Sequence, residues 1–465
     1  MKFVQIVCLI GLGLFFSAPA YADALTLEEY LAEVGKANPS IESAGFRARA
    51  LENRIDPAGA LDDPFVAAGV DEVPFGGGSE YVMRYQVSQA IPFPGKLAAK
   101  AAIARDKAHS ARSDAETLSR EVRVLATQVF FRAYYNQKAL ELNGKLKNII
   151  DGTIASTKSR YETGDEGHHE LLLAKIELST LDVDELRLKR EEKTLQAVIN
   201  ELRGAPAEAS LAPLAVQFSG RDLGEGDLPS LTNQPELRSL DSFVTQAEKE
   251  EHLARLAYYP DFVIQGMAMD PGPDMMDARS NWGVMVGVNI PIYAGRKQSG
   301  LLRAAMNDKE AAIRERSSLE NRLHTEILSA REQFKTARDT AELYKNTVIP
   351  TTDLAVKNAK SSYAAGRLKL DDYLDTLKAQ RTQELEYLAA QIDVELSRTR
   401  LRELLSAPPL LRLAPAKPSL FRGAGMGGGM ASDTVNMGQG MSGPTRKPRA
   451  SSSSGDSGSS GMGGM

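Results

Sequence analysis

The stretch Ile91-Pro92-Phe93-Pro94-Gly95-Lys96 has a counterpart further along the chain, Ile290-Pro291-Ile292-Tyr293-Ala294-Gly295-Arg296. Two other stretches recur in the same order. Asn38-Pro39-Ser40-Ile41 matches Gln234-Pro235-Glu236-Leu237, and Tyr161-Glu162-Thr163-Gly164 matches Tyr363-Ala364-Ala365-Gly366. Each pair is separated by about 200 residues, and a constant spacing of ordered motifs predicts a duplicated unit.

Each half shows the same order of elements: a short helix, a pair of strands, a long helix, a tip and a returning helix. A segment rich in proline, glycine and acidic residues joins the halves. The predicted ranges are 23–204 for the first repeat, with its tip at about 160–170; 205–228 for an equatorial connector; and 229–407 for the second repeat, with its tip at about 362–375.

The helices predicted from this pattern are very long. No proline interrupts residues 97–160, and Leu118, Val122, Leu125 and Val129 recur at helical spacing. The apolar stripe is narrow, which favours helices packed side by side as coiled coils. The fold class expected from the residues is therefore mainly α with a small β part.

The strands are few and alternate between apolar and polar residues, as Trp282, Val284, Val286 and Val288 illustrate. This pattern fits either a lipid-facing barrel wall or an ordinary half-buried sheet. Four strands cannot close a barrel, whereas three copies of the chain supply twelve. The strands are predicted at about 64–72, 80–91, 260–270 and 280–291.

The N-terminus is typical of an export signal. Lys2 precedes an apolar run, and small residues follow at Ala20 and Ala22. This order predicts a signal peptide over residues 1–22. The single cysteine, Cys8, lies inside it, so we expect a mature chain without a thiol, a disulfide or an N-terminal lipid.

The composition excludes several function classes. Lys and Arg number 56 against 61 Asp and Glu, so the formal net charge is −5, which does not favour nucleic acid. One cysteine and five histidines leave little material for a His/Cys metal cage or a thiol enzyme. Hydrolase, kinase and zinc-protease motifs are missing from the sequence. We therefore expect no enzyme and no cofactor, and transport would need a partner to power it.

The export signal, the duplicated strand-pair and helical-hairpin unit and the tip glycines together resemble the outer-membrane efflux protein (TolC-like) family. The junction at Ile91–Lys96, with Asp63-Pro64-Phe65 upstream, resembles the subgroup that serves heavy-metal resistance-nodulation-division pumps. The resemblance implies a homotrimer in which a twelve-stranded outer-membrane β-barrel continues into a twelve-helix periplasmic coiled-coil tunnel. It also implies a periplasmic membrane-fusion adaptor, an inner-membrane proton-driven pump, and a location in the Gram-negative outer membrane that extends into the periplasm.

The strand-helix junctions and the tips are the first candidate sites. Proline cannot donate to a β-ladder and glycine permits sharp turns, so Pro92, Gly95, Pro291 and Gly295 are expected to end the strands and redirect the chain. The resemblance assigns adaptor docking to the two tips, with Tyr161, Gly164, Tyr363 and Gly366 as the residues concerned.

The candidate channel constriction consists of three acidic residues. Asp372 and Asp375 are three residues apart, hence neighbours on one helical face. The resemblance places aspartates at this spacing around the mouth of the tunnel, where three chains would form a ring that favours cations. Glu170 occupies the corresponding position of the first half. A solvated acidic helix end is the alternative.

The candidate metal contacts are histidines and methionines. His168 and His169 lie in the first tip, but adjacent residues of a helix point in different directions. Met267, Met269 and Met285 fall on the polar phase of the strands, where adaptable packing is the simpler explanation. Residues 408–465 are rich in Pro, Gly, Ser and Met, which predicts a disordered tail. Thioethers bind Cu(I) and Ag(I), so the tail methionines are either soft-metal ligands or residues without a duty. Those tail candidates are Met426, Met430, Met437 and Met441.

The function expected on these grounds is the exit duct of a tripartite efflux system for heavy-metal cations, either Cu and Ag or Zn, Co and Cd. One alternative keeps the duct and changes the cargo to drugs or to a polypeptide exported by type I secretion. Another is a periplasmic coiled-coil tether without a pore.

Overall fold

The chain is mainly helical, with one four-stranded sheet and one short strand pair. The computed structural model describes residues 24–73, 81–163, 167–218, 234–272 and 279–405. The expected signal peptide, the tip residue Gly164, most of the connector's second half and the tail after residue 407 lie outside these ranges. The four tail methionines proposed as ligands therefore lie outside the described residues too.

The helices follow the order expected for a duplicated unit. They are α1 (Leu27–Ala37), α2 (Pro39–Glu52), α3 (Ile55–Gly59), α4 (Lys96–Thr163), α5 (His168–Leu202), α6 (Pro235–Leu256), α7 (Lys297–Leu343), α8 (Ile349–Ala364) and α9 (Leu370–Leu405). The strands are β1 (Leu25–Thr26), β2 (Phe65–Asp71), β3 (Val82–Ile91), β4 (Leu214–Ala215), β5 (Asp261–Pro271) and β6 (Asn281–Asn289).

The long helices of the two halves have matching lengths. α4 has 68 residues, which is roughly 100 Å at about 1.5 Å per residue. In the second half, α7, a π-helical turn at Tyr344–Val348 and α8 have 47, 5 and 16 residues, which together equal the length of α4. Pro350 follows the π turn and has no amide hydrogen to donate to it, which accounts for the irregular turn there.

The duplication is visible in two buried amide side chains that hold the repeats together. Asn38 caps α2 and donates from Nδ2 to the carbonyl oxygen of Leu202 at 2.8 Å. Gln234 precedes α6 and donates from Nε2 to the carbonyl oxygen of Leu404 at 3.0 Å. Each amide thus ties the start of a repeat to the end of its returning helix. Pro39 and Pro235 fit here because the first turn of a helix needs no amide donor.

The four-stranded sheet has the order β2-β3-β5-β6, and all neighbours are antiparallel. The register places Tyr85 opposite Ala268 and Ala268 opposite Trp282, so these residues share one face. That face is almost wholly apolar, and Trp282 on it is 81% exposed. β2 and β6 are the outer strands, and the described part of the chain offers neither of them a second neighbour.

The strand-helix junctions differ in one respect from the sequence expectation. Pro92 follows β3 directly, and Pro291 follows β6 after one residue. Gly95 has a φ of 96°, in the region that favours glycine. Gly295 does not have a positive φ, and a Cβ there would meet open space. The expectation that both glycines enable the turn is therefore wrong for Gly295, because its backbone suits any residue.

Candidate functional site

The tip of the molecule, where α4 meets α5 and α8 meets α9, brings together residues from both repeats. Its core consists of buried side chains from all four helices. These side chains are Leu146, Ile150, Ala174, Leu181, Ala359, Tyr363, Leu370, Tyr373, Leu374 and Leu377. The tip is therefore built as one packed cluster, and the polar candidates lie on its outside.

Gly366 ends α8 because its left-handed conformation, with a φ of 67°, closes the helix. The Arg367 amide donates to the Ser362 carbonyl at 2.8 Å, and the Gly366 amide donates to the Tyr363 carbonyl at 2.9 Å. These two bonds form the Schellman motif, which satisfies the last carbonyls of a helix. This geometry explains why a glycine ends α8, and the adaptor-docking role expected for Gly366 stays a prediction. Gly164, its partner in the first tip, lies outside the described residues.

Tyr363 is the centre of the contacts between the two repeats at the tip. Its hydroxyl lies 2.8 Å from the Thr157 hydroxyl, and both side chains are buried. Its ring stacks on Tyr373 with the centroids 5.2 Å apart, and the Arg160 guanidinium lies over it at 5.4 Å. Arg160 also donates to the Tyr363 carbonyl at 3.4 Å. Tyr363 therefore joins the end of α8 to α4, a contact between residues far apart in sequence that no local pattern shows.

Asp372 and Asp375 lie on the outer face of the first turns of α9. Both are exposed, and the Asp375 side chain is 72% exposed. Asp375 is 2.7 Å from the ammonium of Lys378, whereas no ion pair to Asp372 is found within the described ranges. The two acids are therefore unequal, because one already has a cation beside it. Sequence reasoning missed Lys378, although its three-residue spacing from Asp375 is the available signal.

Glu170 lies in the first turn of α5, and its Oε2 atom is buried with no partner among the described residues. Within the described ranges, no hydrogen bond or ion pair links Glu170 to α9, which carries Asp372 and Asp375. Glu177 of the first hairpin shares Lys378 with Asp375, since its carboxylate is 3.5 Å from the Lys378 ammonium. Lys378 of α9 thus pairs with Asp375 of its own helix and with Glu177 of α5, and the second pair joins the two helices.

The two histidines of the first tip, His168 and His169, are exposed to solvent. The ring of Tyr161, one of the predicted docking residues, is 5.3 Å from the ring of His168, and His169 is exposed. Across the described ranges, no group of three or more His, Cys, Asp or Glu side chains is arranged to hold a metal ion. The cations beside Asp375 and Tyr363 are Lys378 and Arg160, so the tip is electrostatically mixed.

The three strand methionines share the polar face of the sheet, as their sequence phase predicted. Met267 lies opposite Gln86 on β3, and Met269 lies opposite Arg84, which pairs with Asp71. Met285 on β6 lies opposite Gln265 on β5 and is half exposed. Methionine and uncharged polar side chains thus alternate on this face with few charges.

None of the described helices combines the length and the apolar character required to cross a bilayer.

Comparison with known proteins identifies the same architecture. Residues 229–407 match the family model described as outer membrane efflux protein. The cobalt-zinc-cadmium resistance protein CzcC of Cupriavidus metallidurans is 24% identical over 375 residues, which cover 78% of this chain and 84% of that protein. The resemblance drawn from the sequence motifs is confirmed by these matches.

Three solved structures have the same fold at low sequence identity. A structure of CusC superposes with a TM-score of 0.71 at 13% identity and covers 82% of this chain and 91% of CusC. The Campylobacter jejuni CmeC outer membrane channel gives 0.71 at 15% identity, covering 82% and 85%. The open state of the Neisseria gonorrhoeae MtrE outer membrane channel gives 0.70 at 15% identity, covering 82% and 89%.

Proposed function

We propose that this chain, whose residues 229–407 match the outer membrane efflux protein family model, is the outer-membrane exit duct of a tripartite efflux system for heavy-metal cations. One observation carries the proposal. The sheet has one apolar face that is exposed to solvent in the single chain, and neither of its edge strands has a second neighbour among the described residues.

The sheet supports a barrel made of several copies. Backbone groups at a sheet edge cannot remain unpaired in lipid, so a four-stranded sheet with an apolar outer face needs to pair with other sheets. Three copies provide twelve strands, an even number that closes around a water-filled interior. The polar face, with Gln86, Gln265 and the methionines, would then line that interior.

The helices support a tunnel continuous with the barrel. The long helices α4 and α7–α8 have equal lengths, and each is followed by a returning helix, α5 or α9. Three chains with four such helices each would form a ring of twelve with pseudo-sixfold symmetry. Such a ring suits a hexameric arrangement of a periplasmic membrane-fusion adaptor at the tips. The proton-driven inner-membrane pump would supply the energy. The duct would thus start in the Gram-negative outer membrane and extend across the periplasm.

The choice of cargo rests on the similarity to CzcC, a protein named for resistance to cobalt, zinc and cadmium. A deletion strain and its complemented parent should be compared on Co, Zn, Cd, Ni, Cu and Ag, and on dyes and antibiotics. We expect sensitivity to Co, Zn or Cd that the intact gene reverses. Sensitivity confined to Cu and Ag would keep metal efflux and shift the proposal to soft ions. Sensitivity to dyes and antibiotics alone would overturn the cargo.

The candidate constriction is proposed at Asp372 and Asp375, with Glu170 as a first-repeat contributor. Carboxylates around a narrow opening attract cations, but Lys378 beside Asp375 offsets part of that charge. We therefore expect Asp372→Ala to reduce the cation preference more than Asp375→Ala. The measurement is the reversal potential of single channels in a salt gradient across a planar bilayer. Equal reversal potentials for both variants and the unmodified channel would contradict the constriction.

A further inference from the structure

At the first strand-helix junction, which lies between β3 and α4, the chain contacts the start of its own β5. We use this set of contacts as a template for the second junction, which lies between β6 and α7. The Lys96 ammonium donates to Asp261 Oδ1 at 2.8 Å and to the Tyr259 carbonyl at 3.0 Å. The Phe93 amide donates to the same Asp261 oxygen at 2.7 Å, and the Phe93 ring stacks on Tyr259 at 4.5 Å. The end of β3 is therefore fastened to the beginning of β5 by an ion pair, a backbone bond and a ring stack.

The second junction contains one equivalent backbone bond but lacks these partners. The Arg296 amide donates to the Tyr293 carbonyl at 3.0 Å, as the Lys96 amide does to the Phe93 carbonyl at 3.1 Å. Yet Tyr293 is 73% exposed, and Arg296 is exposed as well. Within the described ranges, neither the Arg296 side chain nor the Tyr293 amide has a partner.

The residues before β2 correspond to Tyr259 and Asp261, the partners that the start of β5 provides at the first junction. Asp63 lies just before β2, as Asp261 lies at the start of β5. Leu61 comes two residues before Asp63, as Tyr259 comes two residues before Asp261. Asp62, Asp63 and Leu61 are exposed, and Leu61 has 49% of its surface open to solvent. This acidic and apolar segment lies at the β2 edge of the sheet, whereas Arg296 and Tyr293 follow the β6 edge. The two halves lie at opposite edges and cannot meet within one sheet of this order.

We infer that the occupant of each half is a second copy of this chain, with Arg296 of one copy bonded to Asp63 of the next and Tyr293 packed on its Leu61. This contact rests on the proposed trimeric duct and names the residues that close it. The Arg296–Asp63 pair between copies would be the equivalent of the Lys96–Asp261 ion pair within one chain. The charges are complementary, and the exposed ring meets an exposed apolar side chain.

The template also fixes the strand register between copies. Within the chain, Ile91 lies opposite Phe262. The equivalent positions are Ile290 and Pro64, which place Val288 of β6 opposite Val66 of β2. Both valines belong to the apolar face of the sheet, because Val288 pairs with Phe262 and Val66 pairs with Val87. A shift by one residue would turn apolar side chains to the polar face, so the face pattern excludes it.

Charge exchange tests the ion pair. The trimer extracted from outer membranes is heated in detergent, and the temperature at which it separates into single chains is read from unboiled gels. Arg296→Asp and Asp63→Arg should each lower this temperature, and the double exchange should restore it. Arg296→Lys, which copies Lys96, should leave it near the original value. Asp62→Arg is the matched control, since alternation places Asp62 on the other side of the strand start. A double exchange no more stable than the single variants would overturn the pair.

Disulfide trapping tests the register and has a clean background, since Cys8 is the only cysteine and lies in the expected signal peptide. Val66→Cys with Val288→Cys should form a reducible bond between copies under mild oxidation, because opposite Cβ atoms lie about 5 Å apart. Each single variant should form none. Val66→Cys with Val284→Cys is the shifted control and should trap far less. A stable trimer that traps only the shifted pair, or neither, overturns this contact and leaves the duct standing. Failure of the unmodified protein to form any trimer overturns the duct itself.

Discussion

The two repeats share their inner framework and differ at their free ends. Asn38 and Gln234 make the same bond to the end of their returning helices, at Leu202 and Leu404. The first strand-helix junction, however, is saturated by Asp261, whereas Arg296 of the second has no such partner among the described residues. The comparison teaches that each repeat closes on itself with the same bond, whereas the first junction is completed by Asp261 of the other repeat and the second is the position that we assign to a further copy.

The largest expected effect separates the two helix-ending glycines. Gly204 and Gly366 have nearly equal φ values of 69° and 67°, and both complete a Schellman motif. A Cβ at Gly204 would lie 2.4 Å from the Ala37 carbonyl oxygen, whereas one at Gly366 would lie 3.4 Å from the flexible end of Arg160. We expect Gly204→Ala to cost about 3 kcal/mol or more and Gly366→Ala about 1–2 kcal/mol.

Denaturant unfolding of the two glycine variants measures this difference. Gly144→Ala in the middle of α4 is the control, since a Cβ there meets open space and its backbone is helical. It should be neutral or slightly stabilising. Equal losses for Gly204→Ala and Gly366→Ala would show that backbone conformation alone, rather than the close approach to α1, decides the cost.

The two buried amides provide the next test of the comparison. Asn38 also accepts bonds from the amides of Ser40 and Ile41 through Oδ1, while Gln234 Oε1 has no partner among the described residues. We expect Asn38→Ala to cost about 2–3 kcal/mol, because a helix cap and a buried bond are both lost. Gln234→Ala should cost about 1–2 kcal/mol. Chemical denaturation compares them, and a larger loss at Gln234 would contradict the assigned bonds.

A partly buried carboxyl at the end of α9 makes the second repeat sensitive to pH. Burial raises the pKa of Glu403 to about 7, although Arg123 and Arg120 nearby act to lower it. The folded chain therefore keeps a proton that the unfolded chain releases above its ordinary value of 4.5, and this contribution to stability falls as pH rises from 4.5 to about 7. It is lost above that range.

Glu403→Gln has a side chain that cannot ionise. Its free energy of unfolding should therefore rise relative to that of the unmodified chain as pH rises. We expect about 1–2 kcal/mol in its favour at high pH, a value discounted for partial exposure, and little difference at low pH. Thermal unfolding at pH 4.5 and pH 8 measures the change between the two. If the difference in stability between the variant and the unmodified chain is the same at both pH values, the raised pKa of Glu403 is contradicted.

The smallest expected effect is at the tip, where the repeats touch. Tyr363→Phe removes the hydroxyl contact with Thr157 but keeps the ring stack on Tyr373. We expect a loss of about 1 kcal/mol in the free energy of unfolding, and Thr157→Val should cost a similar amount. The double variant should cost less than the sum of the two, since both single changes break one bond. Full additivity would show that the two hydroxyls are not coupled.

The sequence predicted the helices and strands well because their signals are local. Period-two alternation placed the four strands within two residues of their observed ends, and Pro92 and Pro291 marked where they stop. The long helices followed from the lack of proline between residues 97 and 160. The π turn before Pro350 has a local cause too, and the proline was the available signal.

The parts that escaped prediction depend on neighbours distant in sequence. The Thr157–Tyr363 bond, the ion pair of Lys378 with Glu177 and the close approach of Gly204 to Ala37 each join different helices. Gly295 was predicted from a motif match alone to need the backbone freedom of glycine, but it does not have a positive φ. The docking and constriction assignments for the tip residues stay predictions.

The central claim is that copies of this chain close into a water-filled duct for cations. The most direct test adds the purified, detergent-extracted protein to one side of a planar lipid bilayer and records single-channel currents in a salt gradient. The account predicts uniform conductance steps with a reversal potential that favours cations. A protein that assembles and inserts but carries no current, or one that prefers anions, would contradict it.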